Sequence, residues 1–158
     1  MKLSPEQVQQ KRLERDILFK TTFALEYGDQ TEGEPIDLIV SDLQERKGKP
    51  VLFTEEQRNR INKVAKNILD HKQELDQRIE KYLKGWKIGR LSSVDLTILR
   101  IATYELIYTP ETPGSVVINE AVVLAGKFDD DKAKSFVNGA LSSIHKELES
   151  AVHTGESM

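Results

Sequence analysis

The chain has 158 residues, 23 of them basic and 26 acidic, for a net charge of −3, and it contains no cysteine. That composition excludes a disulfide scaffold, a thiol nucleophile and cysteine-ligated zinc. It leaves nucleic-acid binding to a local basic patch instead of overall charge. The length suits one domain with enough chain to bury a core. No apolar run approaches the roughly 18 residues of a membrane span, and the opening MKLSPEQVQQKRLERD lacks the apolar core of a secretion signal. A cytoplasmic protein without membrane contact is the expectation.

Between the Pro and Gly residues, apolar side chains recur every three to four positions, so the reading is all-α, with six to seven helices. The first spans about 5–27, with Pro5 in its first turn. Leu13, Ile17 and Ala24 give it an inner face, and Phe19 and Phe23 lie one turn apart beside that face. The second runs from Pro35 to Arg46 with Ile36, Ile39, Val40 and Leu43 as its stripe. A long third helix, 55–84, opens on Thr54-Glu55-Glu56-Gln57, a capping-box pattern. Ile61, Val64, Ala65, Ile68, Leu75, Ile79 and Tyr82 share one of its faces, and Gly85 stops it. Its stripe thins at Asp70-His71, where a break would fall.

Ser92-Ser93-Val94-Asp95 is a second capping box, opening a helix over 93–108. That helix is apolar nearly all round and reads as the buried centre. A fifth helix runs over about 116–128. A sixth, about 131–149, is opened by Asp129, Asp130 and Asp131, whose carboxylates suit a helix N-terminus. The tail 151–158 has nothing to bury and is expected to fray. The organisation is thus one domain, 1–158, with an N-terminal subdomain over 1–84 and a C-terminal one over 85–150.

Catalytic signatures are missing from the pattern. His71, His145 and His153 have no partners at metal-ligand spacing. There is no Gly-rich phosphate loop and no GxSxG elbow. No nucleophile, base and orienter assemble. Neither a metal nor a cofactor is expected.

Basic and aromatic residues carry more. Arg78, Lys81, Lys84, Lys87 and Arg90 recur every three residues; they form either a solvated face or a contact for a polyanion or acidic partner. Lys11, Arg12, Arg15 and Lys20 lie on the first helix, with Lys11 and Arg15 spaced i,i+4 to bind phosphates. Phe136, two residues after Lys134, is either core or an exposed ring that stacks a base beside a cation. Arg100 and Glu120 each lie among apolar neighbours and are expected to pair across the last bundle, since a lone buried charge is expensive. Asn138-Gly139 is unfavourable inside a helix, and close helix packing against Gly139 would explain it.

From Leu91 onward the chain reads RLSSVDLTILRIATYEL, then VVINEAVVLAGKF, then KSFVNGALSSI. In order and spacing these blocks resemble the transcription antitermination factor NusB family over about residues 82–145. Arg12-Leu13-Glu14-Arg15-Asp16 through Phe23 resembles the family's arginine-rich opening helix more loosely. The resemblance implies an all-helical fold of two small bundles and a role without catalysis. Its implied partners are ribosomal protein NusE, the boxA element of nascent ribosomal RNA and, indirectly, the RNA polymerase complex. Both monomers and homodimers occur among such proteins.

Position by position, the resemblance places RNA contacts at Lys11, Arg12, Arg15, Phe23 and Phe136, with Lys134 beside the last. It places the NusE contact at Asp95. Arg100, Glu120, Asn119, Asn138 and Gly139 are read as structural. The opening helix is less basic than the family's, and Lys132 and Ser135 replace an often acidic and an often basic residue. These departures support one alternative, a protein-interaction module that has lost specific RNA recognition. An unrecognised helical enzyme is the other alternative, and it would require a closed pocket with perturbed titratable groups. A fused methyltransferase is excluded by length.

Overall fold

The computed structural model describes residues 3–28, 34–48, 53–85 and 87–153. Among them are seven α-helices and one 3₁₀ turn, with no strand. The helices are α1 (Pro5–Tyr27), α2 (Pro35–Lys47), α3 (Glu55–Asp70), α4 (Lys72–Glu80), α5 (Ser93–Tyr108), α6 (Gly114–Phe128) and α7 (Asp131–His153); the 3₁₀ turn is Ile88–Arg90. Two compact units divide between Asp70 and His71. The sequence reading placed that division after Lys84.

In the first unit α1 packs on α2 and α3. The Ser4 hydroxyl accepts from the Gln7 N–H at 3.2 Å and the Gln7 side chain accepts from the Ser4 N–H at 2.8 Å, a complete capping box. Thr54 and Gln57 repeat this at the start of α3. Ile17, Leu18 and Phe19 of α1 close over Ile36 and Val40 of α2 and Ile61, Ala65 and Ile68 of α3, all of them buried. Arg58–Asp37 and Arg60–Glu14, each at 2.6 Å, span helices at the surface. Such exposed pairs add at most about 1 kcal/mol each.

The second unit is built on α5, against which α4, α6 and α7 pack. Every residue from Leu96 to Thr103 is buried, as the all-round apolar pattern requires. The expected helix over 55–84 is two helices: it breaks at His71 and ends at Glu80, four residues early. Lys84 (φ 50°) and Gly85 (φ 89°) then adopt consecutive left-handed conformations, while Leu83 anchors the turn in the core. At the other end, α7 continues to His153, beyond the expected stop at 149. Of the tail expected to fray, 151–153 is helical and 154–158 lies outside the described residues.

Arg100 is 5% exposed. Its Nε and Nη2 donate to the two carboxylate oxygens of Asp76, both at 2.8 Å. The carboxylate on this fork is Asp76 of α4, a partner the sequence did not point to. Asp76 follows buried Leu75 and precedes buried Ile79, at the margin of α4's inner stripe. The charged composition of α4 concealed that position. Of the other residues read as structural, Glu120 is buried but Asn119, Asn138 and Gly139 are exposed. A Cβ on Gly139 would meet nothing within 4 Å, so helix packing does not explain that glycine.

Removing Arg100 leaves the Asp76 carboxylate at the core margin without its fork. Arg100→Ala is expected to cost about 3 kcal/mol in urea unfolding. Replacing the pair together, as Arg100→Met with Asp76→Leu, should recover most of that loss.

Candidate functional site

The second unit carries a cleft of about 840 Å³. One wall is the chain from Lys81 to Lys84 together with Arg90 and Leu91; another is the start of α5, at Ser92 and Asp95; the third is α7 from Lys132 to Ser143. Leu83, Leu91, Ala133, Ala140 and half-buried Phe136 make its apolar surface. Gly139 lies in the same wall as Phe136, open to solvent.

Several bonds hold these walls. The Tyr82 hydroxyl donates to Glu147 Oε2 at 2.7 Å, and Lys81 Nζ lies 3.0 Å from Glu147 Oε1. Those two donors, Tyr82 first, hold the Glu147 carboxyl below its usual range, and the same contact raises the Tyr82 phenol. Ser92 caps α5 by accepting from the Asp95 N–H at 3.0 Å. Asp130 caps α7 by accepting from the Ala133 N–H at 2.8 Å.

Asp95 is the most perturbed acid in the cleft. Burial, first, and then the hydrogen bond and charge of neighbouring Asp129 push its carboxyl up to about 7; Asp130 adds to this and Ser92 opposes it. Its Oδ1 is buried with no hydrogen-bond partner among the described residues. The run Asp129–Asp131 reads as capping in the sequence, yet Asp130 supplies the cap and Asp129 turns to Asp95. The available signal was excess: one helix start uses one capping carboxylate.

The regular basic series gathers only in part. Lys81, Lys84 and Arg90 line the cleft with Lys132, whereas Arg78 and Lys87 do not. Helical spacing was the wrong guide, because the chain leaves the helix at Glu80. Lys134 is not brought together with Phe136. Residues two apart on a helix face roughly opposite ways, and the Lys134 stem lies across Gly126, with Nζ 3.7 Å from Asp131. Lys11 and Arg12 are exposed and Arg15 is half-buried, all on α1 of the first unit. Phe23 stacks between Phe19 and Tyr27, with ring centroids 6.0 and 4.9 Å away.

The model of the NusB family matches residues 12–146. The chain belongs to the NusB family. Transcription antitermination protein NusB of Bacillus subtilis is 36% identical over 139 residues, covering 88% of this chain and 97% of that one. NusB of Clostridium tetani is 38% identical over 118 residues, 75% of this chain and 77% of that one. Among solved structures, T. maritima NusB superposes with a TM-score of 0.68 at 28% identity, covering 93% of this chain and 94% of that one. The crystal structure of antitermination factors NusB and NusE in complex with dsRNA matches with a TM-score of 0.66 at 28% identity, over 88% of this chain and 98% of that one.

Within this NusB-family chain, Asp95 links the cleft to pH. Folded, it keeps its proton up to about pH 7, whereas its ordinary value is 3.8. The native state therefore binds the extra proton between those values, and stability falls as pH rises through that window. The melting temperature should drop from about pH 4 to above pH 7, and Asp95→Asn should remove much of the drop. An identical pH profile in the variant would show that the proton resides elsewhere.

Proposed function

We propose that the chain is an RNA-binding transcription antitermination factor. It pairs with ribosomal protein NusE, binds boxA RNA of nascent ribosomal transcripts and promotes read-through by RNA polymerase. It acts in the cytoplasm, by binding and without catalysis. Family membership over residues 12–146 carries this reading, with support from a cleft that joins an aromatic ring to cations.

In this reading Lys11, Arg12 and Arg15 contact phosphates. Phe136 meets a base, since a half-buried ring keeps one face for stacking while the other is packed, and Phe23 meets RNA at the edge of its aromatic row. Asp95, with Asp129 and Asp130 beside it, receives a cationic group of the protein partner. That cation relieves the repulsion among the carboxylates. The α1 cluster is modest and interleaved with Glu14 and Asp16, so RNA affinity alone is weak and salt-sensitive. A partner adding contacts supplies the remainder through linkage.

The sparsely basic α1 also favours a second reading, a protein-interaction module that no longer discriminates RNA sequence. Fluorescence anisotropy separates the two, using boxA-like and scrambled RNA with and without NusE. The antitermination reading expects NusE to raise the affinity for boxA RNA, at least fivefold, and to leave the scrambled RNA weaker. Equal, steeply salt-dependent binding of both RNAs would favour the second reading.

A further inference from the structure

We infer that Lys84 and Arg90 form a phosphate-binding edge of the Phe136 cleft, so that single-stranded RNA lays a base against Phe136 and an adjacent backbone phosphate on these two cations. This rests on the RNA-binding reading above and extends it to the chain between α4 and α5, which carries neither the α1 basic cluster nor the Phe136 block.

Backbone conformation gives the first reason. Lys84 is the one described non-glycine residue with positive φ, at 50°, and Gly85 follows at 89°. Glycine occupies such a position without steric cost, and a lysine does not. A strained residue is retained where its side chain has a use, and the Lys84 side chain lines the cleft.

Charge gives the second. Lys81, at the same mouth, is engaged by Glu147 at 3.0 Å. Neither Lys84 nor Arg90 has a carboxylate partner among the described residues, and both are exposed. The nearby acids are engaged elsewhere: Asp95 is part-buried with Asp129 against it, and Asp130 caps α7. A cleft with acids on one wall excludes phosphate from that wall and confines it to the cationic one. Carboxylates accept from the amino groups of bases, so the bases face the acidic side.

Shape gives the third. The volume of about 840 Å³ lies within the range of sites that enclose a small organic ligand. Gly139 leaves open space in the wall beside Phe136, and no described residue comes within 4 Å of where its Cβ would lie. A helix-interior glycine is unfavourable, and the approach of a planar base accounts for it where helix packing does not.

The test compares wild type with Lys84→Gln, Lys84→Gly and Arg90→Gln, and with Lys63→Gln on α3 as a control. Binding of a boxA-like RNA is followed by anisotropy across a salt series, and each variant is melted. Loss of one phosphate contact to a single strand lowers the salt slope by about 0.7 and weakens binding about fivefold at 0.1 M salt. The expected result is that loss for each cleft variant and none for the control. Lys84→Gly should also melt at or above wild type, separating the role of the side chain from that of the turn. If wild type binds RNA while the cleft variants keep its affinity and slope, the phosphate edge is overturned and the functional reading stands. Variants that lose NusE binding but not RNA binding would reassign the cations to an acidic protein surface, which also overturns it. A wild type that binds no RNA even with NusE present would overturn the functional reading itself.

Discussion

The fork between Arg100 and Asp76 governs the second unit. A guanidinium in the middle of a helix buried over eight residues is tolerable only if a carboxylate meets it with good geometry. Two bonds of 2.8 Å supply that and fix α4 against α5. Where α4 ends then decides where the chain through Lys84 and Arg90 runs. Tyr82 and Lys81, bonded to Glu147, fasten that chain to α7. The fork thus holds alongside α5 the helix whose end leads into the first wall of the cleft.

Around the cleft, electrostatics divide the labour. Asp130 is spent on a helix start, while Asp129 is pressed against Asp95 and raises its affinity for a proton. In the proposed reading, this one surface takes an RNA base on one side and a basic protein group on the other. Phe136 sits in the wall they share.

Helix positions were legible in the sequence because apolar spacing, caps and breakers agreed. Thr54 and Ser92 each capped where expected. The buried run from Leu96 to Thr103 followed from a helix with no polar face. The end of α4 was missed because Lys81–Lys84 continues a helix-compatible pattern; its stop is a pair of left-handed residues, one of them a lysine. Partner choice was also hidden. Arg100 and Glu120 look alike as charges in apolar stretches, and nothing in one dimension says that Asp76 is a carboxylate within reach of Arg100. Lys134 seemed to stand beside Phe136 for the same reason: proximity along the chain is not proximity on a helix. Gly139 was legible as an anomaly, but its cause lay in open space instead of packing.

The central claim is that RNA passes over the cleft of the second unit, with a base at Phe136 and a phosphate at Lys84 and Arg90. Photo-crosslinking a 4-thiouridine-substituted boxA RNA to the protein bound to NusE, followed by peptide mapping, tests it directly. Adducts on the peptides holding residues 84–90 and 132–140 are predicted. Adducts confined to α1, with the cleft peptides unmodified, would contradict it.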